Sequence, residues 1–173
     1  MSNMEWLKCE RDKCKNIRDV CLLNTSERDI LNCAINIIFE KFYGVSAEEL
    51  FNDIKKSGLE IKTLLKLKQI LRHRTCIPIS ITEIKVANVR YWYCDVKLCN
   101  ELKKIFCVGE KIIENKFRFR LKDSLKVSHD NVEVIKKIMI RDHLAYRDYT
   151  KIVVKSTTPH SEKIKKFLEN YEK

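Results

Sequence analysis

The sequence predicts an α+β fold: a helical amino-terminal half followed by a small, mostly antiparallel sheet with flanking helices. Two observations favour this class. Residues 26–43 form a long helix-compatible apolar run, and residues 116–122 alternate cationic and apolar side chains as a strand does. Since 173 residues suffice for one core or two small ones, we expect a helical lobe over 1–77 and a mixed α/β basic lobe over 78–173, or one continuous domain.

Two helices are predicted before the first glycine. Residues 4–22 place apolar side chains at helical spacing. In residues 26–43 the polar residues recur every four positions, so that helix should be wetted on one narrow stripe and buried elsewhere. Thr25 and Ser26 can cap its start, and Gly44 can adopt the left-handed conformation that ends it.

Two further helices are predicted before the first proline. Ser46 and Glu49 form a capping box, and the helix that they start ends at Gly58. The next helix is predicted over residues 60–74. One stripe of that helix is polar and should be exposed, and it consists of Lys62, Lys66, Gln69 and His73.

A hairpin is predicted over residues 79–94. Its turn falls at Ala87–Asn88, which lacks the glycine that two-residue turns favour. Three helices followed by this hairpin resemble a winged-helix arrangement over residues 26–94. The resemblance implies that the third helix reads a nucleic-acid groove and that the hairpin forms the wing. Winged helices also serve as protein-binding modules, so the resemblance leaves function open.

The carboxy-terminal half is predicted to mix helices with short strands, and the sequence shows no internal repeat. The predicted segments are helices over 95–108 and 130–147, strands over 116–122 and 151–155, and a last helix that begins at Thr158-Pro159. This last helix is predicted to bury its apolar side, which consists of Ile164, Phe167, Leu168 and Tyr171.

The net charge of +11 favours a polyanionic partner. Residues 1–74 carry 14 basic against 11 acidic side chains, whereas residues 75–173 carry 21 against 13, so the second half holds most of the surplus. The alternative is that a lysine-rich surface serves only solubility.

The first candidate site is the predicted strand over residues 116–122. Its outer face would carry four cations: Lys116, Arg118, Arg120 and Lys122. Alternate residues of a strand lie about 6.7 Å apart, close to the spacing of successive phosphates, so the row could follow a nucleic-acid backbone. The alternative is an edge strand whose charges prevent aggregation.

Two further candidate sites lie in the predicted winged-helix region. The polar stripe of residues 60–74 contains lysines, which suit guanine, and Gln69, which suits adenine; the alternative is an ordinary solvated face. Arg90 and Trp92 lie in an aromatic strand that could stack on unpaired bases. The alternative is that this strand is buried between two layers.

Catalytic and metal signatures are weak. The three glycines form no phosphate-binding loop, and no nucleophile elbow is present, so we expect neither an enzyme nor a cofactor. Two cysteine pairs share a spacing that zinc ligands could use, although residues five positions apart on a helix point about 140° from each other. These pairs are Cys9 with Cys14 and Cys94 with Cys99.

The sequence therefore predicts a non-catalytic, RNA-binding or otherwise nucleic-acid-binding basic factor. We expect it to dock on structured nucleic acid, or on a ribonucleoprotein such as the ribosome, through phosphate contacts. The alternative is a protein-interaction subunit of a transcription, replication or host-modulating assembly, using an apolar surface near Tyr91–Tyr93. Without a signal core or apolar span, we expect no membrane partner and an intracellular location, cytoplasmic or nuclear.

Overall fold

The computed structural model describes residues 23–72 and 77–171. Within these ranges the chain forms seven helices and two three-stranded antiparallel sheets. The first six elements are α1 (Thr25–Glu40), β1 (Val45–Ser46), α2 (Ala47–Lys56), α3 (Leu64–Ile70), β2 (Ile81–Val86) and β3 (Val89–Cys94). The others are α4 (Asp95–Ile105), β4 (Lys111–Ile113), α5 (Glu114–Leu125), α6 (His129–Arg141), β5 (Ala145–Asp148), β6 (Lys151–Val154) and α7 (His160–Tyr171). The helix predicted over 4–22 lies outside the described residues.

The amino-terminal helices α1 and α2 follow the predicted pattern. Helix α1 begins one residue before the predicted range, because Asn24 rather than Thr25 or Ser26 caps it by accepting the amide of Glu27 at 2.8 Å. Its buried side chains are Ile30, Leu31, Ala34, Ile35 and Ile38. Ser46 caps α2 as predicted, accepting the amide of Glu49 at 3.3 Å. Both helices therefore pack around the core that the apolar pattern indicated.

Helix α3 is shorter than the predicted helix over 60–74. Thr63 caps it by accepting the amide of Lys66 at 3.1 Å, so the helix starts at Leu64. Leu67 and Ile70 form its buried side. A side-chain cap inside the predicted segment therefore decided where this helix begins.

The predicted hairpin is present, with a two-residue turn at Ala87 and Asn88. Both turn residues have positive φ, 49° and 65°, as a type I′ turn requires. Asn tolerates this conformation, whereas Ala does so at a cost. Because Ala stands where Asn, Asp or Gly is more usual, the sequence indicated the turn only weakly.

Strand β3 lies at the centre of the first sheet, between β1 and β2, and separates two hydrophobic cores. Trp92 packs into the first core with helices α1, α2 and α3. The next residue, Tyr93, points the other way and packs into a second core with α4, α5 and α6. Both faces of this sheet are therefore covered.

The prediction of a strand over residues 116–122 is wrong, because these residues lie inside helix α5. The alternation was misleading because Phe117 and Leu121 also fall on one side of a helix, four residues apart. Both are fully buried, whereas Phe119 is 70% exposed. The segment Glu114–Leu125 contains no Val, Ile or Thr, so its composition favours a helix over a strand.

The second half repeats the order of elements of the first. From α1 to β3 and again from α4 to β6, the chain runs helix, short strand, helix, helix, hairpin. The sheets also match: the last strand of each hairpin is central, giving orders β1-β3-β2 and β4-β6-β5. We call residues 25–94 the first unit and residues 95–154 the second unit. The repeat is one of topology, and no repeated sequence motif predicted it.

Helix α6, the third helix of the second unit, joins the two units. It ends at Arg141 rather than at residue 147, and six of its side chains are buried. Lys137 Nζ and Arg141 Nη1 donate to the β2 carbonyl oxygens of Lys85 and Glu83, at 3.0 and 2.7 Å. Tyr93 Oη donates to the buried carboxylate of Asp142 at 2.8 Å. The first hairpin is therefore packed against α6.

Candidate nucleic-acid interface

Helix α5 divides the four cations that the predicted strand would have aligned. The guanidinium of Arg118 lies 3.2 Å from the carboxylate of Glu114 and 2.7 Å from that of Glu133. Arg120 donates to Glu110 at 2.6 Å. The two arginines are thus matched to internal carboxylates, and the continuous phosphate-binding row predicted from the sequence does not exist.

The two lysines of this group remain on the outer side of α5. Lys116 and Lys122 are exposed, and across residues 23–72 and 77–171 no carboxylate lies within 4.0 Å of either ammonium group. They flank the exposed ring of Phe119 at helical spacing. The predicted site at α5 is therefore reduced from a row of four cations to a small patch of two lysines and one aromatic ring.

The carboxylate of Glu114 is the centre of a cationic cluster. Its Oε1 accepts from Lys136 at 2.9 Å, from Arg147 at 2.8 Å and from Arg118 at 3.2 Å. The hydrogen bond from Lys136 is the main reason that the pKa of Glu114 lies below its usual value. Burial opposes this shift without cancelling it. The cluster joins α5, α6 and β5, so it stabilises the second unit.

Acid should weaken this cluster. Since the pKa of Glu114 is lowered in the folded protein, ionised Glu114 contributes stability above its unfolded pKa of about 4.3, and that contribution is lost as pH falls through the lower, folded value. We expect the free energy of unfolding to fall below about pH 4.5, and Glu114→Gln to reduce that slope. Urea unfolding at a series of pH values measures it, with the exposed Glu169→Gln as control. Equal slopes in both variants would contradict the assignment.

The polar stripe predicted on the third helix is only partly available. Lys62 and Gln69 are exposed, and Lys66 Nζ lies 3.2 Å from Glu27 with its side chain still 46% exposed. Leu65 of α3 is 62% exposed. His73 lies outside the described residues. The outer surface of α3 therefore consists of Leu65, Lys66 and Gln69, with Lys62 exposed just before the helix begins.

The aromatic strand is not a stacking surface. Trp92 is buried, so its predicted contact with unpaired bases is wrong. Arg90 is half exposed and its Nε lies 3.9 Å from Glu83. Tyr93 is fully buried and Tyr91 is partly buried against the second core, so the apolar docking surface predicted near Tyr91–Tyr93 is also wrong. The first core covers one face of this strand and the second core covers the other, which matches the alternative of a strand buried between two layers.

Two of the four cysteines that the structure describes, Cys94 and Cys99, are buried. Burial raises the pKa of Cys99 to about 12 and also raises that of Cys94, which disfavours the thiolate that zinc binds. In the part of the chain that the structure describes, no three side chains of His, Cys, Asp or Glu converge as metal ligands. Cys9 and Cys14 lie outside that part, so the structure does not test whether they could join Cys94 and Cys99 around zinc.

The apolar side of helix α7 is largely exposed, contrary to the prediction that it is buried. Phe167, Leu168 and Tyr171 are 65%, 51% and 83% exposed. Beside this helix an open groove of about 500 Å³ lies between α4, α7 and residues 78–80. The apolar spacing of α7 was visible in the sequence, but only the structure shows that Phe167, Leu168 and Tyr171 are exposed, while Ile164 borders the small cavity beside Tyr93 and Asp95.

Within residues 23–72 and 77–171, the structure defines the chain as an α+β protein with two small antiparallel sheets interleaved with seven helices. None of these helices is long and apolar enough to cross a membrane. Comparison with protein families, with curated proteins and with solved structures finds no match for the chain.

Proposed function

We propose that this chain is a non-catalytic factor that docks on duplex nucleic acid through the outer surface of α3. One observation supports this most directly: the first unit has the element order of a winged helix, its third helix exposes Lys66 and Gln69, and Lys62 is exposed just before that helix begins. In a winged helix the third helix is the element that enters a groove. The row of cations predicted over residues 116–122 no longer supports the proposal.

The second unit is unsuited to the same task. Its third helix, α6, buries six side chains and packs against the first hairpin. A helix that is buried in the second core and packed against the first hairpin cannot enter a groove. In the described chain the contact with nucleic acid is therefore assigned to the first unit, while the second unit supports the first hairpin.

The shape of the surface favours duplex DNA over duplex RNA as the first target to test. The major groove of B-form DNA is about 12 Å wide and admits a helix, whereas the corresponding groove of A-form RNA is too narrow. The net charge of +11 adds attraction to any phosphate backbone. The alternative target is a ribonucleoprotein, in which the chain would recognise the shape of the RNA.

Two buried acids of the described chain are engaged in internal hydrogen bonds, which supports a non-catalytic role. Asp95 accepts two hydrogen bonds from Ser161, from its amide at 2.9 Å and its hydroxyl at 2.8 Å. Asp142 accepts from Tyr93 and Arg141. The cavity that both acids line measures about 70 Å³, far below the roughly 300 Å³ of a typical ligand pocket.

Removing one cation from α3 and one from the segment just before it should weaken binding to duplex DNA. We expect Lys62→Gln/Lys66→Gln to lower affinity roughly tenfold at about 50 mM salt and to reduce the salt slope by about 1.8, since each lysine releases close to one counterion. Fluorescence anisotropy with a labelled duplex, repeated up to about 200 mM salt, measures both quantities.

Lys116→Gln/Lys122→Gln is the matched control, because it removes the same charge from exposed positions on α5. Under the proposal its effect is clearly smaller. If the α5 variant alone weakens binding, the interface lies on α5 and the assignment to α3 is wrong. If wild-type protein binds the duplex no more tightly at about 50 mM salt than at about 200 mM salt, docking on duplex DNA itself is excluded.

A further inference from the structure

Helix α7 is attached to the protein by its first turn. Ser161 is buried and donates both its amide and its hydroxyl to Asp95. Every later residue of the helix that the structure describes is exposed. The helix therefore presents most of its length to solvent rather than to either core.

The exposed helix carries an ordered apolar face. Its members recur at positions i, i+3, i+4 and i+7, and we call them the α7 seam: Ile164, Phe167, Leu168 and Tyr171. Their exposed fractions run from 36% to 83%. The rings of Phe167 and Tyr171 are 5.9 Å apart, so part of the seam is already packed together. Single exposed apolar residues are ordinary, but a continuous seam marks an interaction surface.

The charges around the seam indicate the chemistry of its partner. At about 100° per residue, Lys163 and Lys165 fall on the two sides of the seam, whereas Glu162 and Glu169 fall behind it. A partner that meets the seam therefore meets positive flanks. A second copy of this chain would bring the same flanks and a net charge of +11, so repulsion opposes self-association.

We infer that the α7 seam binds an amphipathic helix of an acidic partner protein. The seam has the spacing of coiled-coil core positions and extends about 10.5 Å along the axis, which suits a helix laid against it. Acidic residues beside the partner's apolar stripe would face Lys163. This contact does not depend on the proposed binding of duplex DNA, because it uses a different surface.

A designed peptide tests the inference. The probe is a labelled helix with Leu at the a and d positions and Glu at the e and g positions; a second peptide has Lys in place of Glu. We expect the Glu peptide to bind about tenfold more tightly than the Lys peptide at low salt. Phe167→Ala/Leu168→Ala should weaken binding of the Glu peptide about tenfold or more. Fluorescence anisotropy measures both affinities.

Phe119→Ala is the control for the loss of an exposed ring, since Phe119 is 70% exposed on a different helix, and it should leave the affinity unchanged. Circular dichroism checks that the double variant keeps its helices. Equal affinity for the two peptides, or no binding of the Glu peptide, overturns the inference. So does a stable dimer of the wild-type chain, measured by light scattering, that the double variant abolishes, because the seam's occupant would then be a second copy.

Discussion

Replacing Phe117 with Ala should lower the free energy of unfolding by about 3 to 5 kcal/mol, the usual cost of removing a large buried aromatic side chain. Phe117 is fully buried in the second core, and its ring stacks on that of Phe106 with centroids 4.9 Å apart. The Ala variant loses both this contact and the apolar burial and leaves a cavity. Urea unfolding followed by tryptophan fluorescence and by circular dichroism measures the change.

Phe119→Ala separates the helix from the strand predicted at the same residues. In a strand, Phe117, Phe119 and Leu121 share one face, so the two Phe variants would be similarly destabilised. In helix α5, Phe119 points to solvent, so its truncation should change stability by no more than about 0.5 kcal/mol. Comparable large losses in both variants would show that residues 116–122 are extended.

Lys136→Met should be the second most destabilising of the changes considered. Lys136 is nearly buried, and its ammonium group lies 2.9 Å from Glu114 and 3.0 Å from Glu133. Removing one member of a fully buried ion pair costs about 3 to 5 kcal/mol, because the remaining charge loses its partner, but the side chains of Glu114 and Glu133 are 19% and 31% exposed. Glu114 keeps Arg118 and Arg147, so we expect the lower end of this range. Chemical denaturation at neutral pH measures the loss.

Lys137→Met provides the matched control. Lys137 is the neighbouring residue, is exposed, and makes one hydrogen bond to the carbonyl oxygen of Lys85. Its replacement should cost about 1 kcal/mol or less. If both lysine variants lose the same stability, the cluster around Glu114 is not the reason that Lys136 matters.

Most helices and the first hairpin could be predicted because their signals are local. Ser46 and Glu49 are close in sequence, and the apolar period of α1 needs no knowledge of the rest of the chain. Residues 116–122 failed because seven residues can satisfy a period of two and a period of 3.6 together. The choice between them was made by the second core, which receives Phe117 and excludes Phe119.

The candidate site was less predictable, because it depends on pairs that are distant in the chain. Nothing near Arg118 in the sequence announces Glu133, and nothing near Lys66 announces Glu27. Composition alone therefore overestimated the number of available cations. The exposure of α7 was equally hidden, since a helix with an apolar side has the same sequence pattern whether or not its own chain covers that side.

Strand β3 has one further consequence for how the chain can be divided. Trp92 completes one core and Tyr93 the other, so a fragment ending at Cys94 would expose Tyr93 to water. The complementary fragment would lack the face of the first sheet against which its own core packs. The halves should therefore melt in a single cooperative step, and neither is suited to separate expression.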